Sequence, residues 1–304
     1  MFKEHLKRKN RTTLSSKVRQ IRQSAEHAKV AITTAKDNPD NFLAEYQDAI
    51  KNAFPGSIEE AIKRQATLVL IPAHNEIHRI GATLLALSQQ KDILVQPLVV
   101  DNASTDSTGE FAEKLGAVVV YEENQGVLDA RRRGFKEIKE KGYQGIILST
   151  DSDSTPLPSW ARTMVDFAKE ALPTGGEAFG RVLYYDGADN PPVGKNTMLT
   201  VAANARDTIY LAAHRTIVRG PNTVIVLDSE GKILDSLAAL EDQTDLPHGQ
   251  DVYQKDTIAQ YGEIAFNKHL PALVITSGKR YPRRIDVLLR YVAPKRTLKR
   301  LYSA

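Results

Sequence analysis

Cysteine is absent from this 304-residue chain. Disulfides and thiolate metal sites are excluded, and the composition suits a reducing cytosol. No apolar run approaches the ~20 residues that a spanning helix needs, and the first residues are basic and polar rather than signal-like. A cytoplasmic location is therefore expected. Two glycine-rich devices are also missing: no G-x-G-x-x-G follows the first hydrophobic strand, and no G-x-x-x-x-G-K-[ST] occurs anywhere. That argues against a dinucleotide dehydrogenase and a P-loop enzyme. The phosphates of any bound nucleotide must then be met by a metal and basic side chains.

What is present is enough for a full core, with 41% hydrophobic and 26% charged residues. The net charge of +4 is unevenly spread. Residues 1–23 hold eight Lys/Arg against Glu4, residues 279–304 hold nine against Asp286, and the middle carries about −11. Basic ends on an acidic body suggest peripheral contact with an anionic surface such as the inner membrane leaflet. Solvated helix faces and a frayed tail explain the same residues. RRIDVLLRYV (283–292) mixes apolar and basic residues as an interfacial helix does, or as a helix packed on the body does. A nucleic-acid partner is not expected.

Residues 1–64 read as a helical extension, broken near Asp37–Asp40 and at Pro55-Gly56. Its second piece spaces Phe42, Leu43, Tyr46 and Ile50 at helical intervals. From 65 to 292 strands and helices alternate, and 293–304 is a basic tail. Apolar runs at 66–72, 93–100, 117–121 and 145–149 read as buried parallel strands, separated by helices at 77–90, 106–115 and 127–141. This is a doubly wound, mostly parallel α/β sheet with helices on both faces, whose ligand cleft lies at the strands' carboxyl ends. Beyond 156 the pattern predicts helices over 158–171, 197–213 and 250–260. It predicts strands over 177–185, 222–228 and 271–276, and a loop or helix over 232–246.

Polar residues collect at those carboxyl ends. IILSTDSDST (146–155) runs from an apolar strand into Asp151 and Asp153. If the backbone stays extended, the two carboxylates point the same way, roughly 6.5–7 Å apart at Cα, and suit a divalent cation carrying a diphosphate. The alternative is a turn capping the helix near Pro158–Trp160. In VLIPAHNEIHRI (69–80), Asn75 and Glu76 are able to cap the following helix. In PLVVDNASTDST (97–108), Asp106 or Ser104 reads as an N-cap, whereas Asp101 sits at the strand end, where a carboxylate accepts from a base N–H. In ENQGVLDARRRGF (123–135), Arg132 and Arg133 read as solvent-facing and Arg131 as facing the cleft.

The segments IPAHNE, VVDNASTDST, NQGVLDARRRG and STDSD, in this order over 66–160, resemble the family 2 glycosyltransferases with the GT-A fold. These include bacterial polysaccharide glycosyltransferases and dolichyl-phosphate-sugar synthases. The resemblance implies a 65–160 half that binds a UDP- or GDP-sugar. Pro72, Ala73 and Glu76 would line its pocket, Asp101 would bond the base and Arg131 would sit beside base or phosphate. Asp151 would touch ribose or metal, and Asp153 would be the principal ligand of Mg²⁺ or Mn²⁺.

For the acceptor half, 161–292, the resemblance implies a G-x-N segment, answered by GPNTVIV (220–226), and an acid at a helix start serving as catalytic base. Asp251 in HGQDVYQ is the preferred base and Asp242 in LEDQTDL the alternative; Gln250 stands where the family has Glu. In ITSGKRYPRR (275–284), Lys279 or Arg280 would neutralise the leaving diphosphate. His248 and His269 receive no metal role. The expectation is a hexosyltransferase that inverts the anomeric centre, with a hydroxyl or phosphate acceptor on a saccharide, small molecule or lipid-linked molecule. A sugar-1-phosphate nucleotidyltransferase, which follows its first strand with a glycine-rich loop, and a non-catalytic nucleotide-sugar-binding protein are the alternatives.

Overall fold

The computed structural model describes residues 30–185, 221–240, 250–267, 272 and 274–277, together with Arg19, Gln23, Glu26 and His27. The predicted 197–213 helix, Asp242, His248, His269, Lys279, Arg280 and both basic ends, apart from Arg19 and Gln23, lie outside the described residues.

The helices before the sheet start where the sequence supplies caps. Asn38 precedes α1 (Pro39–Lys51) and its side chain accepts from the Asp40 N–H. Ser57 accepts from the Glu60 N–H ahead of α2 (Ile58–Lys63), the S-x-x-E arrangement of a capping box. Phe42 and Ile50 of α1 are fully buried, and Ala31, Ile32 and Ala35 of the preceding helical stretch join them in the cluster that covers one sheet face. This part of the extension thus shares its hydrophobic core with the α/β body.

Three strand–helix units and a fourth strand follow: β1 (Thr67–Ala73), α3 (Ile77–Ser88), β2 (Val95–Asn102), α4 (Thr108–Lys114), β3 (Val118–Glu122), α5 (Val127–Glu140) and β4 (Ile146–Ser149). Every residue of β1 and β2 is buried, as expected of strands covered on both faces. The chain continues through β5 (Ser154–Pro156), α6 (Trp160–Ala171), β6 (Gly176–Phe179) and β7 (Val182–Tyr185). After the undescribed interval come β8 (Thr223–Val226), α7 (Lys232–Ala238), α8 (Gln250–Ile258), β9 (Glu263–Phe266) and β10 (Val274–Ser277).

The main sheet has seven strands in the order β3-β2-β1-β4-β8-β6-β9, parallel except where β8 runs antiparallel to β4 and β6. A second sheet, β5-β10-β7, stands beside it. The predicted strand over 177–185 is therefore two strands in two sheets. Gly180 and Arg181 form the corner, where the Gly180 N–H donates to the Asn222 carbonyl at 2.9 Å. Asn222, of the G-P-N segment, is fully buried and joins the pieces. Its Oδ1 accepts from Trp160 Nε1 at 2.8 Å, and its Nδ2 donates to the Arg181 and Ala272 carbonyls at 2.7 and 2.6 Å.

Gly134 ends the N-Q-G…A-R-R-R-G segment for a packing reason. A Cβ there would come within 2.3 Å of Leu70 Cδ1 and 3.1 Å of Val100 Cγ2, because α5 lies directly on β1 and β2. Overpacking such a core costs about 1–3 kcal/mol. Gly134→Ala is accordingly expected to lower the unfolding free energy by that amount, read in chemical denaturation as a lower midpoint at an unchanged slope.

Candidate active site

The carboxyl ends of β1, β2, β3 and β4 converge because the four strands are parallel neighbours, with Ala73 paired to Asp101 and Asp101 to Tyr121. The loops leaving these ends are laced to one another. The Asn75 N–H donates to Ser104 Oγ at 3.0 Å, and Asn75 Oδ1 accepts from the Thr105 N–H at 2.8 Å. At the start of α3, the Glu76 N–H donates to Thr108 Oγ1 at 2.8 Å and the Ile77 N–H to Asp106 Oδ2 at 3.2 Å. Thus α3 is capped by side chains of the neighbouring loop, not by Asn75 or Glu76. Asp106 also accepts from the Thr108 N–H at 3.1 Å and from its hydroxyl.

Asp101 is 5% exposed, and the structure corrects the reading that no capping role occupies it. Its two oxygens accept from the Ser104 and Gly109 N–H groups, each at 3.2 Å. A carboxylate oxygen carries a second lone pair, so a base N–H can still be accepted. The Tyr121 phenol beside it is held above its ordinary pKa, first by partial burial and then by the charges of Glu113 and Asp101.

Asn102 faces the other loop. Its Oδ1 accepts from the Gly126 N–H at 2.7 Å and its Nδ2 donates to the Asn124 carbonyl at 2.6 Å, which fixes the N-Q-G turn. His74 closes the group, its Nδ1 lying 2.6 Å from the Asn102 carbonyl and its Nε2 2.8 Å from the Gln125 amide nitrogen. This network assigns the proton to Nδ1. His74 and Asn102 lie within the IPAHNE and VVDNASTDST segments, but their cross-loop bonds depend on a strand register that no motif states.

Pro72, Ala73 and Glu76 are buried along the same edge, with Glu76 Oε2 3.5 Å from Arg79 Nη1. Arg131 is 4% exposed within α5. The solvent-facing reading of its neighbours is corrected. Arg133 is half-buried against Glu137 at 3.0 Å. Arg132 pairs with the buried Asp129 and donates to the Leu240 carbonyl at 3.1 Å, tying α5 to the end of the α7 region.

The backbone at the two aspartates is not extended. β4 stops at Ser149, and the Ser154 N–H donates to the Asp151 carbonyl at 3.2 Å, closing a turn over 151–154. The alternation argument for two parallel carboxylates therefore fails; the segment is a turn, but it does not cap the helix at Trp160, which starts after Ser159 without a side-chain cap. β5 rather than a helix follows it directly. Asp151 and Asp153 are half-buried there. Thr150 anchors the approach, donating to the Pro221 carbonyl at 2.8 Å. On the far side, β10 pairs Thr276 with Ser154 and ends at Ser277, beside the turn.

On the acceptor side, Asp251 occupies the first turn of α8. That helix is fixed by Gln254, whose Nε2 donates to the fully buried Glu177 of β6, and by the buried Ile258. Among the described residues, no group of three or more His, Asp or Glu side chains forms a ready metal cage, and no helix is long and apolar enough to cross a membrane.

Fold and strand-end edge together define an open-sheet, mostly parallel α/β domain of GT-A-like architecture. Residues 68–217 match the Glycosyl transferase family 2 model. Among solved structures, S. aureus TarS in complex with UDP-GlcNAc is similar at 15% identity and TM-score 0.47, over 70% of this chain and 58% of that one. A longer S. aureus TarS chain is covered to only 41% of its length, at 15% identity and TM-score 0.48. Glucosyl-3-phosphoglycerate synthase from Mycobacterium tuberculosis, in complex with Mn²⁺, UDP and phosphoglyceric acid, is similar at 19% identity and TM-score 0.45, over 77% of this chain and 81% of that one. No curated protein matches the chain significantly.

Proposed function

We propose that the chain is a metal-dependent, inverting glycosyltransferase of hexosyl type, moving a sugar from a UDP- or GDP-sugar to a hydroxyl or phosphate acceptor. The observation that carries the reading is the shared sheet edge where the parallel neighbours β1, β2 and β4 end in Pro72–Glu76, Asp101 and the Asp151–Ser154 turn, the first two loops being interlocked by hydrogen bonds.

The donor set suits Mg²⁺ or Mn²⁺. Mg²⁺ is commonly held by one or two carboxylates, with waters and substrate phosphates completing its shell, so an all-protein cage is not needed. Asp153 would be the principal ligand and Asp151 the second ligand or a ribose contact. When bound, the ion would supply positive charge against the negative charge that develops on the departing diphosphate. Asp101 would accept from the base, and Arg131 would stand beside base or phosphate. Pro72, Ala73 and Glu76 would wall the pocket, and Lys279 or Arg280 would screen the leaving group.

Asp251 is the base in this reading. The acceptor oxygen bonds to the anomeric carbon from the face opposite the diphosphate, the carbon–diphosphate bond breaks, and the acceptor proton passes to Asp251. With an anionic phosphate acceptor no proton need be taken, and Asp251 would orient the acceptor. The basic ends would hold the protein at an anionic membrane face.

Thermal denaturation against a panel of nucleotide sugars with Mn²⁺ tests the donor part, because a ligand of the folded state raises apparent stability by mass action. A rise with one or more UDP- or GDP-sugars, together with slow release of free nucleoside diphosphate, is expected. Release of pyrophosphate from a sugar 1-phosphate and a nucleoside triphosphate would instead reveal a nucleotidyltransferase. Binding with no turnover under any acceptor would reveal a binding protein.

A further inference from the structure

The Asp-Ser-Asp turn is gripped by hydroxyl groups that the reading above leaves unused. Thr83, in the middle of α3 and 1% exposed, donates from Oγ1 to the Ser152 carbonyl at 2.8 Å. Ser152 stands between the two acids and is itself buried. From the other side, Ser154 Oγ donates to Thr276 Oγ1 at 2.8 Å, with both residues buried.

A threonine inside a helix commonly turns its hydroxyl back onto the carbonyl three or four residues earlier. Thr83 instead spends it on a segment 69 residues further along the chain. Its helix is otherwise apolar on this side, with Ile80, Ala82, Leu84 and Leu87 buried. Valine would fill the same volume, so packing alone does not call for the hydroxyl. The Ser152 carbonyl shares a rigid peptide plane with the Asp153 N–H. A donor that fixes this carbonyl therefore fixes the backbone from which the Asp153 carboxylate leaves.

We propose that Thr83 is a positioning residue for the divalent cation, holding the Ser152–Asp153 peptide so that the Asp153 carboxylate meets the ion in one orientation. The inference rests on the cation site of the proposed function and deepens it. Groups that orient metal ligands from behind typically contribute about 10–100-fold in metal affinity or activity.

The test is calorimetric titration of the full chain with UDP and with GDP, each with and without Mn²⁺, for wild type, Thr83→Val, Thr83→Ala and Thr83→Ser. Thr83→Val and Thr83→Ala, which lack the donor, are expected to lose about tenfold of the Mn²⁺-supported nucleotide affinity. Their weaker metal-free binding should stay unchanged, and Thr83→Ser should stay near wild type in both conditions. Thr83→Ala cannot overpack the helix, so it decides the matter if Thr83→Val fails to fold. Equal affinity of Val, Ala and wild type in Mn²⁺ would overturn the proposal. So would equal losses with and without Mn²⁺, the mark of general loosening. If Mn²⁺ adds nothing to wild-type binding of either nucleotide, the cation site falls first and the role of Thr83 with it.

Discussion

Asp251→Asn is expected to cut sugar transfer to a hydroxyl acceptor by about 10²–10⁴-fold, the usual contribution of a positioned general base. Nucleotide binding should survive nearly intact. Asn keeps the size of the side chain but cannot take a proton at neutral pH, so the loss belongs to the proton transfer. The separation of effects follows from the architecture. Asp251 lies on α8, packed over β6 by the Gln254–Glu177 bond, whereas the proposed nucleotide contacts lie at the ends of β1, β2 and β4. Single-turnover transfer and UDP titration on the same preparation check both halves. Transfer at the wild-type rate would move the role of base elsewhere, with Asp242 next in line.

Asp153→Ala should act on the other half. Mn²⁺-supported nucleotide affinity is expected to fall on the order of 100-fold or more, since removing a ligand costs at least as much as removing a group that merely orients one, ~10–100-fold. Fold stability should change little, because Asp153 is half-buried in a surface turn and the core clusters on either sheet face do not include it. Equal titration curves for variant and wild type in Mn²⁺ would remove Asp153 from the site. Thermal denaturation alongside separates a lost ligand from a lost fold.

The first half of the fold was legible because its signals are local and repeated. Fully buried β1 and β2 read as continuous apolar runs, and the helices between them show a periodic apolar face. The predicted helix over 127–141 is α5, Val127–Glu140. The second half was less legible because its strands are only three or four residues long and change partners. β5 and β9 carry no pattern distinguishable from loop, and the break between β6 and β7 at Gly180 is set by Asn222, 42 positions later.

The site shows the same division. Motif order brought Glu76, Asp101, Asp151 and Asp153 to one edge in advance, because strand ends of a parallel sheet share that edge. Side-chain direction was not readable. The extended geometry assumed for Asp151 and Asp153 gave way to a turn. Asp101, read as a partner for a base, proved also to accept from two backbone N–H groups. Arg132 was assigned to solvent because its partner, the Leu240 carbonyl, lies 108 residues away in sequence. Thr83 gave no sign at all: a lone threonine within IHRIGATLLALS reads as a packing residue until the Ser152 carbonyl is seen beside it.

The most direct measurement is the anomalous difference map of crystals soaked with Mn²⁺ and UDP, repeated with GDP. The account predicts one strong peak in the Asp151–Ser154 turn, about 2.0–2.2 Å from an Asp153 carboxylate oxygen and bridged to the diphosphate. A nucleotide bound at this edge with no ion near either aspartate, or a peak at some other part of the molecule, would contradict it.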